Sequence, residues 1–119
     1  MNAAVIRNRT IGPKPHPNEL DRKRIEQALS ARKRYRWVSP HVEPLTSGYL
    51  VASPCCSRNI DTEGGLVDVA LIHYDRLSAI WKLFRKDHAL GIWEFHSVHL
   101  RLGAVTDEIN ADLDKVFWQ

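Results

Sequence analysis

The sequence predicts an α+β domain: an N-terminal basic helix, an antiparallel meander sheet of about four strands and a C-terminal amphipathic helix. Three observations lead there. Apolar residues recur at three- and four-residue spacing near both ends of the chain, in Ile25, Ala28 and Leu29 and again in Leu102, Val105, Ile109 and Leu113. Between them lie short alternating or continuously apolar runs separated by turn-forming residues. A length of 119 residues with 44% apolar residues and four tryptophans suits one domain that buries its own core without disulfides or metal.

Each element follows from its residues. Gly12-Pro13-Lys14-Pro15-His16-Pro17 removes backbone donors and forbids helix, so residues 1–17 read as a flexible tail and 18–119 as the domain. Asn18 is placed to cap a helix whose first turn carries Glu19 and Asp21, acids that the positive end of the helix dipole favours; the helix is expected to run to about Tyr35. Tyr35 and Trp37 alternate with Arg34 and Arg36 before Ser39-Pro40, which marks extended chain. Pro44 to Gly48 reads as a turn, followed by a strand over 48–53.

The run from Leu66 to Tyr74 is too continuously apolar for a half-exposed strand and is expected at the centre of the sheet. Strands over 79–85 and 92–97 follow, joined by a hairpin connection with Gly91 where positive φ is cheap. In the last helix Asp107, Glu108, Asn110 and Asp112 are expected to face away from the core. Phe117 and Trp118, so close to the end of the chain, should fold back into it.

The order of these elements resembles the bacterial family known as domain of unknown function 3024. The likeness is carried by Tyr74-Asp75 before a turn, Trp81-Lys82-Leu83-Phe84-Arg85-Lys86-Asp87 before a hairpin, Gly91-Ile92-Trp93-Glu94-Phe95 after it, and the ending Ile109-Asn110-Ala111-Asp112 to Val116-Phe117-Trp118. It spans roughly residues 20 to 119. Such members often have proline after that aspartate and glycine after the final Phe-Trp, where this chain has Leu113 and Gln119. The resemblance implies a fold and transfers no functional residues.

Charge is distributed unevenly. Ten Lys/Arg face three acids from Met1 to Pro40, a balance of +7 against +3 for the whole chain. That asymmetry points toward nucleic acid or an acidic protein as partner, with Arg22, Arg24, Arg32, Lys33, Arg34 and Arg36 as contacts and Tyr35 and Trp37 available to stack on bases. The plain alternative is a solvated rim over an aromatic core. No apolar run approaches the eighteen or so residues of a membrane span, and the N-terminus lacks the apolar stretch of a secretory signal, so a cytoplasmic protein without membrane contact is expected.

The only two cysteines are adjacent, Cys55 and Cys56, in the stretch Ser53 to Asp61. Adjacent cysteines lack the spacing of a zinc site and constrain almost no loop as a disulfide, so reduced thiols and no metal or cofactor are expected. A cysteine nucleophile would need one of His73, His88, His96 or His99 as base, and alternation sends neighbouring side chains to opposite faces. The same stretch has a second reading as an anion- or ligand-binding loop of Cys56, Ser57, Arg58, Asn59 and Asp61, with Arg58 offering a forked donor and Gly64-Gly65 close backbone approach. Turn chemistry explains most of these residue types unaided. The sequence therefore favours a small non-enzymatic binding module acting through its basic helix, with a ligand-binding protein or enzyme at Cys55 to Asp61 as the alternative.

Overall fold

The computed structural model describes residues 16–30, 40–54 and 65–118. Two helices and five antiparallel strands follow in the order α1 (Glu19–Ser30), β1 (His41–Leu45), β2 (Gly48–Pro54), β3 (Leu66–Asp75), β4 (Ile80–Asp87), β5 (Ile92–His99) and α2 (Leu102–Ala111). The strands form one meander in sequence order. The α+β expectation holds, with β3 at the centre of the sheet as its continuous apolar run requires.

One strand more than expected is present because residues 41–45 pair with β2, which takes Pro44 and Leu45 out of the expected turn. The turn shrinks to Thr46 and Ser47, with Ser47 at φ 61°. Pro44 is tolerated since β1 lies at an end of the described sheet, where a missing backbone donor breaks no central ladder. Gly48 opens β2 for a steric reason: a Cβ there would stand 2.0 Å from the carbonyl oxygen of Ile72 on the neighbouring strand.

Pairing registers sort the side chains onto two faces. Tyr49, Ile72, Leu83 and Ser97 lie in one cross-strand row, and Tyr74, Trp81 and His99 form the next row on the same face. Both helices cover this face, where Tyr49, Ile72 and Leu83 are fully buried with Ile25, Leu29, Val105 and Ile109 from the helices. The opposite row runs Leu50, Leu71, Phe84 and Phe95, with Phe95 57% exposed. A bulge in the β4–β5 ladder leaves His96 between the partners of Leu83 and Phe84 and turns it toward Phe117, its ring 4.9 Å away.

The helix ends show local chemistry at work. Asn18 Oδ1 accepts the Asp21 amide at 2.8 Å while Asn18 Nδ2 donates to the Asp21 carboxylate at 3.0 Å, so the cap is where the sequence places it. α2 stops at Asp112, which takes the left-handed conformation with φ 42°. Asp112 does not face away: it is buried, and its carboxylate accepts the amides of Val116, Phe117 and Trp118 at 2.8, 3.1 and 3.0 Å. Leu113, expected on the apolar stripe, is 81% exposed because the helix has ended before it. Asn110 also turns inward and donates to the Ala28 carbonyl at 2.8 Å, tying α2 to α1. Phe117 and Trp118 are buried as expected, and the Trp118 indole donates to the Ile109 carbonyl at 2.9 Å.

Candidate functional site

The residues that close one end of the sheet build a pocket. Asp75 accepts the amides of Leu77 and Ser78 at 3.0 and 3.3 Å, which folds the β3–β4 turn and sets Tyr74 directly opposite Trp81. These turn donors, foremost the Ser78 amide, hold the Asp75 carboxyl below the usual carboxylate range. Tyr74 and Trp81 then stand 4.7 Å apart, ring centre to ring centre, at the end of the helix-covered face.

His16 fills the angle between them, its ring 4.8 Å from Tyr74 and 4.6 Å from Trp81. Its side chain is only 8% exposed, so His16 packs against the sheet although the three prolines around it lead to an expectation of a flexible tail. What holds His16 there is a polar cluster on its Nδ1 side. The Tyr49 hydroxyl stands 3.1 Å from Nδ1, the Asp21 carboxylate 3.4 Å and the Asn18 amide group 3.4 Å. Tyr49 is itself anchored, because its oxygen accepts the Asn18 backbone N–H at 3.0 Å. Burial lowers the imidazole pKa, an effect larger than the opposing pull of Asp21, so the ring is neutral near pH 7.

Around this aromatic corner α1 and α2 enclose a pocket of about 390 Å³, within the usual size of small-ligand sites. α1 contributes Asp21, Arg24 and Ala28; α2 contributes Leu102, Gly103 and Thr106, with Ala79 and Leu100 from the adjoining loops. Space extends over Gly103, where an added Cβ would meet nothing within 4 Å. Thr106 turns its hydroxyl proton to the Gly103 carbonyl at 3.0 Å. Arg24 reaches Asp21 at 3.1 Å and remains largely exposed at the mouth.

The residues named from sequence divide unequally. Cys56, Ser57, Arg58, Asn59 and Asp61 lie outside the described residues, as do Arg32, Lys33, Arg34 and Arg36. Of the predicted partner contacts on α1, Arg22 is held by Glu19 at 2.6 Å and Glu26 at 3.0 Å, and Arg24 by Asp21. Within Glu19–Ser30 three basic residues meet three acids, so this stretch of helix carries no net positive charge. Of the predicted residues that are described, Arg24 lines the pocket and Arg22 does not.

His96 and His99 meet through Ser97, whose hydroxyl lies 2.8 Å from a ring nitrogen of each. Among the described residues no three His, Cys, Asp or Glu side chains converge on a point that could hold a metal. Also among them, no helix is long and apolar enough to cross a membrane.

Sequence reasoning overlooked His16 because three prolines around it read as tail. Tyr74 and Trp81 were visible as motif residues, but their convergence with a histidine 33 positions before Tyr49 was not. A family model described as "Domain of unknown function (DUF3024)" matches residues 13–119, a span that includes His16. No curated protein and no solved structure matches the chain.

Proposed function

Since the chain belongs to the DUF3024 family, whose description names no activity, we propose a function from the site itself: a small-molecule binding module whose ligand occupies the pocket between α1, α2 and the Tyr74–Trp81 end of the sheet. One observation carries this reading. Three rings, His16, Tyr74 and Trp81, gather at a void where a small domain would ordinarily close its core. The remaining wall is mostly small or apolar, with Ala28, Ala79, Leu102 and Gly103 leaving room that larger side chains would fill. Such a site suits a planar ligand of modest size.

The test is binding of ring compounds followed by amide and indole NMR shifts, in the native chain and in Gly103→Leu. Leucine at this position enters open space without a backbone clash, so the fold survives while the pocket fills. Shifts centred on Trp81 and Tyr74 that vanish in the variant support the reading. Undiminished shifts in Gly103→Leu, or none at all in the native chain, reject it.

A second reading rests on the +7 balance of residues 1 to 40, which suits contact of Arg32, Lys33, Arg34 and Arg36 with nucleic acid. Such binding weakens steeply with salt. Single-stranded and duplex probes that stay unbound at low ionic strength remove it.

A further inference from the structure

The hydrogen-bonding groups bordering the pocket specify its ligand more narrowly, an inference that rests on the small-molecule reading above. Consider what each group still offers. The Tyr49 oxygen accepts the Asn18 N–H, so its own proton has two outlets: Nδ1 of His16 at 3.1 Å or the Asn18 carbonyl at 3.5 Å. The Asp21 oxygen at 3.4 Å from Nδ1 already accepts from Asn18 Nδ2 at 3.0 Å, so the shorter Tyr49 contact is taken to donate to Nδ1, and in a neutral imidazole the proton then sits on Nε2. Among the described residues no group meets His16 Nε2, although the side chain is 92% buried.

Trp81 presents a parallel case. It is 6% exposed, its indole is a donor only, and among the described residues nothing accepts from Nε1. Neither nitrogen is sealed into the interior, and both rings border the pocket. Buried donors left without partners are costly unless something else satisfies them.

Arg24 adds further donors at the mouth, since Asp21 takes only one of its nitrogens. Asp21 itself is spent, with one oxygen on Arg24 and the other on Asn18. The pocket thus lines up open donors and an uncommitted part of a positive charge, while its acid is already satisfied.

We infer that the ligand is a small planar organic acid, its carboxylate received by His16 Nε2–H, Trp81 Nε1–H and the Arg24 guanidinium, and its ring lying against Tyr74 and the apolar wall of Ala79 and Leu102. Charge-assisted hydrogen bonds of this kind exceed neutral ones by enough to discriminate an acid from its amide.

The experiment compares benzoate with benzamide and benzylamine, which share the ring and differ in charge, by NMR titration of the full chain. Benzoate is expected to bind about tenfold more tightly than benzamide and to move the Trp81 indole proton downfield, with benzylamine weakest. In Arg24→Gln the preference for benzoate should collapse while benzamide affinity stays within about twofold. ¹⁵N shifts of the His16 ring should report the Nε2–H tautomer. Equal binding of benzoate and benzamide, or an Arg24→Gln chain that keeps the full preference, overturns the organic-acid inference and leaves the pocket reading intact. Binding of all three that persists in Gly103→Leu sinks both. Ala28→Leu, which fills the pocket from α1, repeats the control should Gly103→Leu perturb α2.

Discussion

Trp118 is bound at both ends by the helix before it: its backbone N–H donates to Asp112 Oδ2 at 3.0 Å and its indole N–H to the Ile109 carbonyl at 2.9 Å. Asp112 adopts φ 42° at the helix end, so its carboxylate swings under the returning chain and takes three successive amides. Replacing it with alanine leaves buried donors unmatched and should cost about 2–4 kcal/mol in urea denaturation. Asparagine keeps one acceptor oxygen and tolerates the left-handed conformation, so Asp112→Asn should lose less. Equal losses for both variants would contradict this clamp.

Tyr49→Phe tests the support behind the pocket. The hydroxyl holds both the Asn18 amide and His16 Nδ1, and its loss should destabilise the domain by about 1–3 kcal/mol. More telling is the His16 ring, whose NMR signals should broaden or split once it loses that partner. A His16 spectrum identical to that of the native chain would show that Tyr49 does not position it.

His16 should titrate below the ordinary imidazole value of about 6.5, because burial disfavours its charged form more than Asp21 favours it. The unfolded chain then binds this proton more readily than the folded one. Its stability contribution is therefore present above about pH 6.5 and is lost as pH falls from there through the lower folded pKa. His88 is shifted the same way, again chiefly by burial, and adds to the trend. His16→Gln should flatten part of the slope of stability against pH between about 6.5 and 5. An unchanged slope, or a His16 midpoint at or above 6.5, would refute the assignment.

Gly48→Ala should be among the most damaging small substitutions in the chain. The added carbon meets the Ile72 backbone, which cannot move without breaking the β2–β3 ladder, and a loss of about 3 kcal/mol or more is expected in thermal or urea unfolding. A loss under about 1 kcal/mol would mean the strands part more easily than their register indicates.

The two sheet faces should answer differently to truncation. Leu83 is fully buried beneath the helices, and Leu83→Ala should cost about 2–5 kcal/mol. Phe95 is 57% exposed on the other face, where its contact with Phe84 at 5.8 Å is worth about 0.5–1.5 kcal/mol. Phe95→Ala should therefore cost clearly less, and a loss as large as that of Leu83→Ala would show that the outer face is covered.

Short-range periodicity and residue type encode a large part of this fold. The Asn18 cap, the Ile25 and Leu29 stripe, the central place of the run from Leu66 to Tyr74, the positive φ of Gly91 and the return of Phe117 and Trp118 were all legible from spacing and residue type. So was family membership, whose motif residues Tyr74 and Trp81 turn out to wall the pocket. Where those walls meet depends on packing between elements. Sheet register puts Tyr74 opposite Trp81, and the packing of α1 brings His16 between them. The tertiary structure also turned Asp112 inward, and paired Arg22 and Arg24 with acids one helical turn away. A pocket is a convergence of residues distant in sequence, and no local period of two or 3.6 records which distant side chains will share one void.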